Sequence, residues 1–328
     1  MKIRISTAVI VIVYCALLLV GCKKAEVKPA VGLQVVTTLF PLYDFARTIA
    51  GDKAKVTMLL PPGVEPHTFE PKPEEMIRVG RAGLFIYTSK YMEPWAEKII
   101  SGIESKTLRV VNAGERVNYR AVVGKDEHED GKRGGEHGVE HGNVHDHDRK
   151  GMDPHIWLDF TNAALMVDEI LDGFVAADPG NSALYRQNAE SLKTRLNALD
   201  QSYRDRLKNC STRKLLHGGH YTFGYLAARY KFDYLALSGI SSDSEPSAER
   251  MITLVREIKS SGTTYLFAEE LLSPRLTETL AKEAGVGVLM LHGAHNVSRD
   301  DLSRGVSFFD LMERNLEQLQ KGLSCRPK

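Results

Sequence analysis

Charge of one sign is not in excess in this sequence: 43 lysines and arginines stand against 42 aspartates and glutamates, a formal net charge of +1. No basic stripe gathers anywhere along it, which argues against nucleic acid as a partner. Long apolar runs are missing too. One exception lies near the start; no other segment is long and apolar enough to cross a membrane. There is no His-Glu-x-x-His helix, no Gly-x-Ser-x-Gly elbow and no two-metal carboxylate cluster, so the common hydrolytic sites have no signature here. Cysteine is sparse, at four in 328 residues.

The exception is Met1 to Val20, which opens with Lys2 and Arg4 and then runs apolar from Ala8 to Val20. Thirteen apolar residues are too few for a bilayer span of about 20, and behind a basic start they make a signal peptide. Leu19-Val20-Gly21-Cys22 closes it and resembles a bacterial lipobox, in which Cys22 is acylated. Residues 1–22 are therefore expected to be a lipoprotein signal and 23–32 a polar tether. This places the protein in the bacterial cell envelope, exported and lipid-anchored, in the periplasm or on the outer face of the cytoplasmic membrane. Cys15 leaves with the signal and Cys22 carries lipid, so Cys210 and Cys325 remain. In an oxidising compartment that pair is expected to be bridged. The bridge would close a loop worth about 4–5 kcal/mol on a chain-entropy argument.

Histidine is where the sequence is unusual. Five of its eleven, His128, His137, His141, His145 and His147, fall within residues 126–150 among glycine, aspartate and glutamate. Such a run has too little apolar surface to offset the entropy of ordering and is expected to be a loop. Imidazoles interleaved with carboxylates suit a borderline-soft divalent cation, held weakly. The other six, His67, His155, His217, His220, His292 and His295, lie beside glycine or proline or at the end of an apolar run.

The remaining chain is too long for a single core and implies two lobes. Gln34–Phe40, Lys55–Leu60, Leu84–Ser89 and Leu108–Val111 are short β-rich runs; Pro41–Ala50, with Gly51 at its end, is a helix. Thr161–Ala176 is another helix, broken at Asp178-Pro179-Gly180. From Asn181 to Leu207 apolar residues fall at steps of three and four without Gly or Pro, giving one helix about 40 Å long that would join the lobes. Strands at Lys214–His217, Tyr234–Ser238, Thr264–Ala268 and Val286–Leu291 then alternate with helices at Ser247–Ser260, Arg275–Ala284 and Asp300–Leu323. Buried strands alternating with amphipathic helices mean an α/β fold, two lobes with mostly parallel sheets joined by one long rigid helix. The boundaries so read are 33–178 for the first lobe, 179–208 for the linking helix and 209–328 for the second lobe. In open α/β sheets ligands bind beyond the carboxyl ends of strands, which is where His67, His220, Glu269, Glu270 and His292 fall.

Three segments carry a family resemblance. Pro61-Pro62-Gly63-Val64-Glu65-Pro66-His67-Thr68-Phe69-Glu70-Pro71, Asp153-Pro154-His155-Ile156-Trp157-Leu158-Asp159 and His220-Tyr221-Thr222-Phe223-Gly224-Tyr225-Leu226 resemble signature segments of the zinc and manganese substrate-binding proteins of ABC transporters. They occur in that family's order, with the His-rich loop between the first two as in the zinc members. The resemblance implies a metal site in the interlobe cleft with His67, His155 and His220 as ligands. Manganese-type members carry a carboxylate at the third position, so three imidazoles favour zinc over manganese. The fourth ligand stays open: His295 is preferred, with His292 and Glu269 as alternates. Asp159 is expected to orient a ligand imidazole, Trp157 to pack in the core, and His217 to be a hydrogen-bonded core histidine.

The function so implied is capture of Zn2+ by an extracytoplasmic binding protein, expected to be a monomer, and its delivery to an ABC permease. No catalytic residue is expected. Two other classes stand beside it: an exported zinc hydrolase using Glu269 or Glu270 as base, and a surface adhesin with a structural metal.

Overall fold

The computed structural model describes residues 32–122, 151–240, 245–270 and 274–326. The expected signal, Cys22, residues 23–31 of the tether, and His128, His137, His141, His145 and His147 lie outside the described residues. From Leu33 onward the chain forms one compact unit.

The first sheet consists of β1 (Leu33–Thr37), β2 (Ala54–Met58), β3 (Leu84–Tyr87) and β4 (Arg109–Asn112), in the order β2-β1-β3-β4. Its helices are α1 (Phe40–Ala50), α2 (Pro73–Gly80) and α3 (Pro94–Gly102). After α4 (Phe160–Ala177) and α5 (Ser182–Leu207) comes the second sheet: β5 (Lys214–His217), β6 (Asp233–Ala236), β7 (Tyr265–Glu269) and β8 (Gly287–Leu291), in the order β6-β5-β7-β8. Between and after these strands run α6 (Gly224–Tyr230), α7 (Ala248–Ser261), α8 (Arg275–Ala284), α9 (Arg299–Ser303) and α10 (Phe308–Gly322). Every strand pair among the described residues is parallel. The two sheets repeat one topology, and in each the order reverses between the first and third strands, where ligands of open α/β sheets bind.

Local chemistry accounts for the boundaries. Pro41 at the first turn starts α1, and Gly51 at φ 56° stops it. Asp159 caps α4 by accepting the Thr161 N–H at 2.8 Å. The expected helix over Asp300–Leu323 is instead two, α9 and α10. Gly305 adopts φ 70°, and Ser307 with Asp310 forms a capping box that starts the chain again.

Both faces of each sheet are covered. An outer layer on the first sheet packs Val79, Trp95 and Ile99 against Phe85, and one on the second packs Leu254, Ile258 and Leu280 against Leu266. The main core is shared: one cluster takes in Val35 of β1, Phe45 of α1, Phe174 of α4, Leu196 of α5, Leu215 of β5 and Leu316 of α10. Helix α5, 26 residues long and so about 39 Å, buries Tyr185, Leu192, Leu196, Leu199 and Tyr203 along one stripe. It touches α1 and α4 on the first-sheet side and α6 and α10 on the second. Cys210 and Cys325 are bonded as a disulfide, tying the segment after α5 to the chain end.

Candidate metal centre

The strand-end loops of the two sheets are stitched together. The Asn296 side-chain amide donates to the carbonyls of Pro61 and Val64 at 2.8 and 2.7 Å. The Gly63 N–H reaches Val297 O at 2.9 Å and the Phe40 N–H reaches His295 O at 3.2 Å. Trp157, fully buried, donates its indole N–H to Gly293 O at 2.7 Å. These bonds fix the loop carrying His67, the turn carrying His155 and the loop carrying His295 against one another.

Within this frame His67, His155 and His220 each offer a ring nitrogen, and the three nitrogens lie within 4.8 Å of one another. Their ring centres are 5.1–5.5 Å apart. Nε2 of His155 and Nε2 of His220 are separated by 3.2 Å. Two ligands of a tetrahedral ion with bonds of 2.0–2.1 Å stand about 3.3 Å apart, so this pair has the spacing zinc requires. Nε2 of His67 is buried with no hydrogen-bond partner among the described residues. Leaving such an atom unpaired costs about 1–3 kcal/mol, and a cation shared with the other two imidazoles removes that cost.

Carboxylates fix the tautomers. Nδ1 of His155 sits 2.8 Å from Asp153 Oδ1, which also accepts the His155 backbone N–H at 3.0 Å. Nδ1 of His220 sits 2.8 Å from Glu269 Oε2, which accepts the His220 backbone N–H at 3.1 Å. A proton held on each Nδ1 leaves the Nε2 lone pair for a metal and raises its basicity. Gly219 is required here, because a Cβ would collide with Glu269 Oε2 and with His217. The Thr222 hydroxyl lies 2.9 Å from His220 Nε2, a contact that a metal taking this lone pair would replace.

Burial and the positive potential of neighbouring imidazoles hold His67 and His155 well below the ordinary histidine range. Both are neutral at physiological pH. For His220 burial acts in the same direction and is the largest single influence, but the hydrogen-bonded Glu269 carboxylate, together with Glu65 and Glu270, outweighs it and the net shift is upward. Burial pushes Asp153 up to about 7 against the pull of the His155 N–H.

His295 is buried beside the triad, its ring centre 5.8 Å from His220 and 6.3 Å from His155, and its Nδ1 has no hydrogen-bond partner among the described residues. Imidazoles on one tetrahedral ion have centres about 5 Å apart, so His295 would have to close by roughly 1 Å. The alternates are committed elsewhere. His292 Nδ1 accepts the Ala294 N–H at 3.0 Å and faces Glu270 at 3.1 Å. Glu269 is taken by His220.

Asp159 departs from expectation. It does not touch an imidazole but caps α4 and pairs with Arg229 at 2.8 Å, because the turn over Ile156–Leu158 rotates it away from His155. The carboxylates that do orient the rings, Asp153 and Glu269, were not assigned that role from sequence. Asp153 had a local signal: an aspartate two residues before a histidine can accept both its backbone N–H and its Nδ1–H. His217 is buried with Nδ1 near His220 O and the Tyr234 hydroxyl, at 3.1 and 3.2 Å, as expected of a core histidine.

Residues 35–322 match the family described as ZnuA, zinc-uptake complex component A periplasmic. The high-affinity zinc uptake system protein ZnuA of Bacillus subtilis is 33% identical over 318 residues, covering 95% of this chain and 96% of that protein. The zinc-binding lipoprotein AdcA of Streptococcus pneumoniae is 32% identical over 314 residues, 94% of this chain. This chain spans only 59% of that streptococcal relative's length. Among solved structures, the Zn(II)-bound ZnuA-like domain of Streptococcus pneumoniae AdcA superposes with a TM-score of 0.72 at 29% identity, covering 89% of this chain and 99% of that one.

Proposed function

The chain belongs to the zinc-uptake component A family, and on that premise we propose that it captures Zn2+ in the crevice between its two sheets and delivers it to an ABC permease. The single observation that carries this is the convergence of three imidazoles, of which His155 and His220 are buried, 3.2 Å apart at Nε2 and each backed by a carboxylate on Nδ1. Such a donor set suits a borderline-soft ion and offers no oxygen to manganese. We assign His67, His155 and His220 as ligands and His295 as the fourth, closing on the ion as it binds. Carriage fits the site better than hydrolysis: the two glutamates read from the sequence as candidate bases are both engaged, Glu269 by His220 and Glu270 by the Gly293 N–H. Export with acylation at Cys22 would hold the protein, as a monomer, at the membrane beside its permease. The histidines of residues 126–150 would collect metal weakly and leave the tight site to the triad.

The test is competition for zinc against a chromophoric chelator, using protein lacking residues 1–22, the same protein lacking residues 126–150, and its His155→Ala variant. One tight site is expected in the first two and none in the third. Tight binding indifferent to His155 would overturn the assignment.

A further inference from the structure

The ligand-bearing segments come from distant parts of the chain, and one side chain outside the site spans them. Arg229, at the end of α6, is nine residues beyond His220; Asp159, at the start of α4, is four beyond His155. Arg229 Nη1 meets Asp159 Oδ1 at 2.8 Å. Its other edge forks onto Asp200 of α5, with Nε to Oδ1 at 2.6 Å and Nη2 to Oδ2 at 2.8 Å. Asp200 is held in turn by the Tyr230 hydroxyl at 2.7 Å and by Arg204 at 2.9 Å. All three central side chains are mostly buried, at 14–20% exposure. Helix α6 also packs directly on the turn over Ile156–Leu158 that follows His155.

We infer that Arg229 is a positioning residue for the metal site: by clasping Asp159 and Asp200 together it sets the spacing between the His155 turn and the His220 loop, and so the 3.2 Å Nε2 pair. A guanidinium is needed for this. It presents N–H groups on two edges of one plane, so a fork on one carboxylate leaves a donor for a second; an ammonium has no such geometry. Asp159 already accepts the Thr161 N–H through the same Oδ1, so the start of α4, and with it the turn carrying His155, moves with Arg229. This inference rests on the triad being the zinc site.

Asp159→Ser isolates the clasp. The hydroxyl still caps α4 but is too short and uncharged to hold Arg229, and the Arg229 fork on Asp200 is untouched, so the metal-free protein should melt within a few degrees of the native one. The zinc dissociation constant should nevertheless rise about tenfold, the lower end of the effect of groups that orient ligands from outside the coordination sphere. With cobalt as probe, the visible ligand-field bands should shift. Arg229→Gln should lower both affinity and melting temperature, Arg229→Lys should not restore affinity, and the double variant should bind no worse than Arg229→Gln alone. Native-like zinc affinity and an unshifted cobalt spectrum in Asp159→Ser would overturn the inference. Tight zinc binding in His155→Ala would instead remove the site assignment, and this inference would fall with it.

Discussion

Replacing Glu269 by Gln tests how the site manages protons. The Glu269 carboxylate is buried against His220, 2.8 Å from Nδ1 and 3.1 Å from the backbone N–H. It acts in two opposed ways. By holding the proton on Nδ1 it aims the Nε2 lone pair at the metal and makes it more basic, and losing such a partner typically weakens metal binding 10–100-fold, about 1.4–2.8 kcal/mol. Together with Glu65 and Glu270 it also offsets burial and raises the His220 pKa, so that a proton competes with zinc for Nε2. Above the raised His220 pKa only the first effect operates, and the variant should bind about 10–100-fold more weakly. As pH falls through that pKa the native protein loses up to about tenfold in affinity per pH unit for the one proton displaced. The variant, with burial opposed only by the more distant Glu65 and Glu270, starts this loss at lower pH, so the two curves should converge. The assay is chelator competition across a pH series, with the metal-free melting temperature as a check on folding. Equal affinities at high pH, or a gap that does not narrow as pH falls, would refute the reasoning.

Three other outcomes are expected. Because His67 and His155 are held neutral while His220 is shifted upward, the proton that zinc displaces from the triad should come from His220, and the number released should rise as pH falls; calorimetry in buffers of different ionisation enthalpy reads that number across a pH series. His295→Ala should weaken zinc binding less than His155→Ala does, because a water can take the fourth position but not restore the carboxylate-backed Nε2 pair; competition titration of the two variants ranks them. Cys210→Ser opens a bridge spanning 115 residues and should cost about 2–5 kcal/mol, lowering the melting temperature by roughly 5–15 °C without changing zinc affinity.

Much of the fold was legible because buried parallel strands read as short apolar runs and their helices carry strong stop signals; Arg275–Ala284 and Lys214–His217 match to the residue. The boundary between α9 and α10 was lost because Gly305 sits inside an otherwise helical pattern, and a single glycine there is ambiguous until its left-handed φ is known. The two lobes were legible as two runs of strands. Their common core was not, since which faces of α4, α5 and α10 meet is a tertiary matter. At the site, strand-end placement and the three signature segments brought His67, His155 and His220 together. Asp159 misled because sequence distance from His155 says nothing about direction across a tight turn. Glu269 and His220 are 49 residues apart in sequence; their contact follows from β5 and β7 being neighbours in the sheet, which no local pattern encodes.

The most direct measurement is zinc K-edge X-ray absorption on the protein loaded with one equivalent of zinc, beside the His155→Ala variant loaded in the same way. Expected in the native protein is a nitrogen-dominated shell at about 2.0–2.1 Å with the outer scattering of three to four imidazoles, and in the variant a visibly poorer imidazole count. A shell dominated by carboxylate or water oxygen, or a spectrum that does not change when His155 is removed, would contradict the placement of zinc between the two sheets.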